Sequence, residues 1–110
     1  ITNQGGIAKG LYTPTEVELL HSYLRKELEK ENVFLTDIFY SPHHQDYSKS
    51  LDRKPDSLLF EKAMAIHKIN PLQSIMIGDS ERDIIAAKKV NIHGFLIEPN
   101  SSFAEIIDKL

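Results

Sequence analysis

Apolar residues recur along this chain with two different periods. Over residues 13–32, Val17, Leu20, Leu24 and Leu28 return at steps of three and four, the spacing of one helical face. The start of that helix is written in TPTE: Thr13 can cap, Pro14 suits the first helical position, and Glu16 falls where a capping box needs it. VFLTDIFY, residues 33–40, is rich in β-branched and aromatic residues and predicts a strand. Residues 41–55, SPHHQDYSKSLDRKP, are polar and aperiodic and predict a long loop. Helical spacing resumes in DSLLFEKAMAIHK through Leu59, Ala63 and Ile66, and Asn70-Pro71 punctuates. SIMIG, residues 74–78, is a nearly continuous apolar run of the kind that forms a strand covered on both faces. A helix from about Ser80 to Lys89 follows, then a strand GFLIE over 94–98, then a last helix with a second capping box at Ser102 and Glu105.

Strands that alternate with helices predict parallel βαβ units, an α/β fold. In such a sheet ligands collect outside the carboxyl ends of the strands. Three polar clusters fall at such ends: TNQGG after a residue that reads as the tail of a strand, the 41–55 loop, and GDSERD after SIMI. No repeat, low-complexity tract or linker interrupts the pattern.

Composition narrows the classes of function. The 110 residues fit one small domain, and 41% hydrophobic residues suffice for a modest core. A net charge of -3 offers no basic field for nucleic acid. No cysteine is present, so neither a disulfide framework nor a thiolate site can form. Apolar runs are too short to span a membrane, nothing resembles a signal peptide, and the expected location is cytoplasmic. An opening without Met fits a natural start that lies further upstream.

Each cluster has a plain reading and a chemical one. In GDSERD, Asp79 follows Gly78, which permits a tight turn, and Asp83 lies one helical turn further on. Two acids there can merely favour the positive end of a helix, worth about 0.3–1 kcal/mol each. They are also the hard oxygen ligands that Mg²⁺ takes alongside water and phosphate. TNQGGIAKG, residues 2–10, is either a flexible turn or a phosphate cradle of backbone and side-chain donors. It is neither a Walker A loop, since Leu11 stands where Lys belongs, nor G-x-G-x-x-G. Arg53 and Lys54, just before Pro55, are an exposed cation pair or the counter-charge to a phosphate. His43 and His44 alone make a poor zinc site, and His21 and His67 sit inside helical patterns as surface or half-buried residues.

Taken in order, ITNQGGIAKGLYT, YSPHH with RKP, and GDSERDIIAA resemble the haloacid dehalogenase (HAD) superfamily of phosphohydrolases. The nearest branch contains the D-glycero-D-manno-heptose 1,7-bisphosphate and histidinol-phosphate phosphatases. The resemblance runs from Ile1 to about Ile97. It implies a Rossmannoid three-layer sandwich with a parallel sheet, of which residues 1–110 are a C-terminal portion starting at the second motif. It also implies Mg²⁺-dependent hydrolysis of a small phosphorylated metabolite. By position, Thr2 would hydrogen-bond the transferring phosphoryl group, and Lys54 would stabilise its charge. Asn3, Lys9 and Arg53 would meet the substrate. Asp79 would ligate Mg²⁺, and Asp83 would belong to the metal set or steady that ligand or the lysine. The logic is positioning and charge neutralisation.

Two departures qualify that picture. Family members carry a D-x-D motif upstream of the Thr motif, with the aspartyl nucleophile first, and no D-x-D occurs in these residues. The nucleophile and the central first strand are therefore missing from this chain. A longer parent would restore them, and a natural truncation would call for self-association to complete the sheet. Relatives also often hold zinc at this loop, but Ser41, Ser50 and Asp52 stand in place of cysteines and only His43 matches. No zinc is expected, and the loop would be ordered by substrate or by packing of Tyr47 and Leu51. Ser80, where relatives often carry a basic residue, leaves the substrate open. A sugar bisphosphate of the heptose type comes first and histidinol phosphate second. A HAD-like module that binds a phosphorylated ligand without turnover is the rival from another class. A receiver-type phosphoacceptor domain shares the pattern but needs an early acidic cluster that is absent.

Overall fold

The computed structural model describes residues 1–44, 46–47 and 50–110. The chain divides into two compact units, Ile1–Arg53 and Lys54–Leu110.

In the first unit, β1 (Thr2–Asn3) leads through the glycine loop to α1 (Pro14–Glu29) and then to β2 (Tyr40–Ser41). The start of α1 follows its local chemistry. Thr13 Oγ1 accepts from the Glu16 amide at 3.2 Å, Glu16 Oε1 accepts from the Thr13 amide at 3.2 Å, and Pro14 opens the helix. β1 and β2 run parallel, with Thr2 opposite Tyr40 and Asn3 opposite Ser41. The predicted strand over 33–40 is thus confined to its last residue and Ser41. A ladder needs a partner at each rung, and β1 supplies only two. The Leu35 carbonyl is instead taken by the Arg25 guanidinium at 2.9 Å. The apolar face of α1 is also less covered than its period implies. Val17 is buried, but Leu20 remains 59% exposed and joins Tyr23, Leu24, Leu35 and Ile38 around an open cavity of about 570 Å³. His21 packs edge-on against Tyr40, with ring centroids 5.6 Å apart.

The second unit runs α2 (Leu58–His67), a 3-10 turn (Pro71–Gln73), β3 (Ile75–Gly78), α3 (Glu81–Lys89), β4 (His93–Leu96) and α4 (Ala104–Ile107). Lys68 closes α2 in the left-handed conformation, and the Asn70 side chain accepts from Leu72 N at 3.0 Å to start the turn. β3 and β4 are parallel, in register from Ile75 opposite His93 to Gly78 opposite Leu96, and α3 makes the crossover. Ala86 and Ala87 of α3 are fully buried, and a β-carbon at Gly94 would meet the Ile84 side chain at 3.0 Å. Small residues let helix and strand approach closely. Leu59, Phe60, Val90, Ile92 and Ile106 complete the core.

Two expectations need correction here. β3 is not covered on both faces, because Ile75 is exposed and Met76 and Ile77 are only half-buried. No capping box forms at Ser102: its hydroxyl accepts from Ala104 N at 3.1 Å, but Phe103 is the cap residue and Glu105 stays exposed. The strand predicted over 94–98 is observed over His93–Leu96, one residue earlier at its start and two at its end. Among the described residues, no helix is long and apolar enough to cross a membrane.

Candidate functional site

The candidate residues gather at the carboxyl ends of strands within each unit. In the first unit the chain leaves β1 into Gln4 and the glycines. Gln4 links two neighbours: its Nε2 donates to Thr2 Oγ1 at 3.3 Å and its Oε1 accepts from Tyr12 Oη at 2.8 Å. The tyrosine thus fixes which end of the amide faces the threonine. Tyr12 lies over Gly6 so closely that a β-carbon there would collide with its ring. Sequence reasoning assigned roles to Thr2 and Asn3 but missed Gln4 and Tyr12. The NQGG run alone does not say that a tyrosine eight residues on returns to it.

Across the same loop, Arg53 Nη1 donates to the His43 carbonyl at 3.0 Å. A β-carbon at Gly5 would lie 2.8 Å from His44 Cδ2 and 2.9 Å from Arg53 Nη1. The glycine therefore lets both side chains close over the backbone. Lys9, by contrast, stays exposed further along the loop.

The root of the 41–55 loop is tied by a carboxylate. Asp52 Oδ1 accepts from Ser41 Oγ at 2.7 Å and from Ser50 Oγ at 2.6 Å, with His43 Nε2 3.8 Å from Oδ2. Ser41 is 0% exposed, so its hydroxyl needs that acceptor. Substrate, or packing of Tyr47 and Leu51, was expected to order the loop, and both of these side chains are largely exposed. Hydrogen bonds fasten its base. Gln45, Ser48 and Lys49 of the expected loop lie outside the described residues.

In the second unit, Lys54 and Asp83 form a buried ion pair between Lys54 Nζ and Asp83 Oδ1. The other carboxylate oxygen accepts from Ser80 N at 3.2 Å, which serves the first orphan amide of α3. Ser80, not Asp79, is the cap residue. Asp79 sits one residue before the cap and is exposed, while Asp83 folds back across the end of β3. A β-carbon at Gly78 would collide with the Asp83 side chain, so the glycine is what admits the carboxylate.

Among the described residues no group of three or more His, Asp or Glu is arranged to hold a metal ion. The donor set still suits one hard cation held loosely. Asp79 offers an exposed carboxylate at the strand-to-helix turn, whereas both oxygens of Asp83 are engaged. Mg²⁺ commonly takes one or two carboxylates and completes its shell with water and phosphate.

Parallel strands joined through helices, with polar clusters at their carboxyl ends, define a ligand-handling α/β domain. Within that class the chain belongs to the haloacid dehalogenase-like hydrolases, whose family model matches residues 20–97. It is 37% identical over 98 residues to a D-glycero-alpha-D-manno-heptose-1,7-bisphosphate 7-phosphatase of Photorhabdus laumondii, covering 84% of this chain and 54% of that one. A D-glycero-beta-D-manno-heptose-1,7-bisphosphate 7-phosphatase of Helicobacter pylori is 38% identical over 97 residues, covering 88% and 56%. Among solved structures, the D,D-heptose 1,7-bisphosphate phosphatase of B. bronchiseptica, complexed with magnesium and phosphate, superposes with a TM-score of 0.78 at 26% identity. That match covers 86% of this chain and 52% of the other. The chain spans about half the length of the curated relatives it matches.

Proposed function

We propose that this chain is the phosphate-binding portion of a Mg²⁺-dependent phosphatase acting on a sugar bisphosphate of the D-glycero-D-manno-heptose 1,7-bisphosphate type. The observation that carries this reading is the buried Lys54–Asp83 pair at the mouth of α3, one turn from the exposed Asp79. A lysine charge held by a buried carboxylate is a fixed electrostatic partner for phosphoryl oxygens, and preorganised charge costs no reorganisation during transfer. Asp83 acts through Lys54 rather than on the metal. Asp79 would hold Mg²⁺, which when bound adds positive charge against the phosphate.

In the first unit, Thr2 hydrogen-bonds the phosphoryl group. With Gln4 donating to its Oγ1, the Thr2 hydroxyl proton turns to the Asn3 carbonyl at 3.3 Å, and a phosphoryl oxygen would take its place as acceptor. Asn3, Lys9 and Arg53 meet the rest of the substrate. The nucleophilic aspartate of the aspartyl-phosphate route comes from a segment outside these residues. The names of the relatives above favour the heptose ester over histidinol phosphate. The same reading places the chain in the cytoplasm.

The test is amide-resolved NMR of the 110-residue chain, titrated with D-glycero-D-manno-heptose 1,7-bisphosphate in MgCl₂. Saturable shifts at Thr2, Lys54 and Asp79 with no phosphate release are expected. Absence of saturable shifts at all three removes the phosphate-binding role. Sustained phosphate release by this chain would instead show that it needs no nucleophile from elsewhere.

A further inference from the structure

We infer that Tyr12 is a positioning residue: its hydroxyl holds the Gln4 amide with the nitrogen toward Thr2, which leaves the Thr2 hydroxyl proton for a phosphoryl oxygen. The inference rests on the phosphate-ester reading above and deepens it, because neither the residue pattern nor the family resemblance gave Tyr12 a role.

Three observations carry it. First, both neighbours of the Gln4 amide assign its ends the same way. Thr2 Oγ1 donates to the Asn3 carbonyl at 3.3 Å, so it offers Gln4 a lone pair, and Gln4 Nε2 meets that lone pair at 3.3 Å. Tyr12 Oη lies 2.8 Å from Gln4 Oε1 and makes no other hydrogen bond among the described residues, so its proton goes to that oxygen. Second, the phenol is held in place. The Leu11 amide donates to the Gly6 carbonyl at 2.9 Å and turns the chain back, and Tyr12 Oη lies 2.8 Å from where a β-carbon of Gly6 would stand. Third, packing does not fix the amide. The Gln4 backbone is anchored by its N–H to the Ser41 carbonyl at 2.7 Å, but Gln4 and Tyr12 both border an open cavity of about 300 Å³. The amide has room to turn end for end, and the phenol selects one orientation. Reversed, Gln4 would present Oε1 to Thr2 and capture its proton, and a phosphoryl oxygen would then face a lone pair.

The plain alternative is that Tyr12 only braces the glycine loop. Two variants and their combination separate the roles. Tyr12→Phe keeps the ring over Gly6 and loses the hydroxyl. Gln4→Leu keeps a side chain of similar size and loses both ends of the amide, so nothing there can capture the Thr2 proton. Dissociation constants for D-glycero-D-manno-heptose 1,7-bisphosphate in MgCl₂ are measured by NMR on the 110-residue chain and its variants, along with nuclear Overhauser effects from the Gln4 amide protons.

A positioning role predicts binding weakened by about threefold to tenfold in Tyr12→Phe, with the Gln4 amide protons moving from the Thr2 side chain toward the ring at position 12. It also predicts that the double variant binds more tightly than Tyr12→Phe alone, because no amide remains to take the Thr2 proton. A bracing role gives no such rescue, since the second change only removes more of the loop's bonds. The inference is overturned if Tyr12→Phe binds as wild type. It is equally overturned if the double variant binds no better than Tyr12→Phe. Silence of Thr2, Lys54 and Asp79 together in wild type overturns the phosphate-ester reading itself.

Discussion

Replacing Asp83 by Ala tests the feature on which the second unit's chemistry depends. Lys54 is 7% exposed and Asp83 5%, so their charges face each other with little water between. Removing one partner of such a pair strands the other, which costs about 3–5 kcal/mol. About 1 kcal/mol of that loss comes from the Ser80 amide, which gives up its acceptor at the start of α3. The pair is far less valuable measured against nothing at all. Lys54→Met combined with Asp83→Leu removes both charges and should fall no more than about 1 kcal/mol below wild type, the share of the lost cap. Urea unfolding followed by far-UV circular dichroism reads all three proteins, which contain no tryptophan. A cost below about 1 kcal/mol for Asp83→Ala, or a double variant weaker than the single one, refutes a buried and mutually dependent pair.

Other consequences follow from single contacts. Gly78→Ala should displace the Asp83 side chain and destabilise by about 1–3 kcal/mol, since the added methyl has no rotation that clears the carboxylate, and urea midpoints will show it. Asp52→Ala leaves the buried Ser41 hydroxyl without its acceptor and should cost about 1–3 kcal/mol, with increased hydrogen exchange around the loop root. Burial, and then the Glu18 carboxylate that accepts its hydroxyl at 3.2 Å, hold the Tyr40 phenol above its ordinary pKa. A raised acid favours the folded state below the unfolded value and loses that advantage as pH rises through it. Stability should therefore decline above about pH 10, and Tyr40→Phe should flatten the decline in pH-dependent unfolding.

What the sequence disclosed was mostly local. Thr13, Pro14 and Glu16 announce α1 because a cap is written within four residues. The strand over 33–40 was over-read because β propensity reports side-chain fit, whereas a ladder needs a partner, and only Tyr40 and Ser41 find one in Thr2 and Asn3. Leu20 and Leu24 carry a helical period truthfully, but a period cannot say what covers the face. Among the site residues, Lys54 and Asp83 are 29 positions apart, and only the resemblance pointed to their meeting. The start of α3 was legible to within a residue, with Ser80 as its cap. The Ser41–Asp52–Ser50 tie falls on the positions that the resemblance set against zinc ligands, whereas the Tyr12–Gln4–Thr2 relay joins residues without a recognisable spacing and was not legible.

Phosphate-ester binding by this chain should couple to Mg²⁺ through Asp79. Calorimetric titration of the chain with D-glycero-D-manno-heptose 1,7-bisphosphate, with and without MgCl₂, measures that coupling in wild type and in Asp79→Asn. Mg²⁺ should tighten binding to wild type and leave Asp79→Asn unchanged. Equal affinity with and without the ion in wild type, or the same tightening in Asp79→Asn, would contradict it.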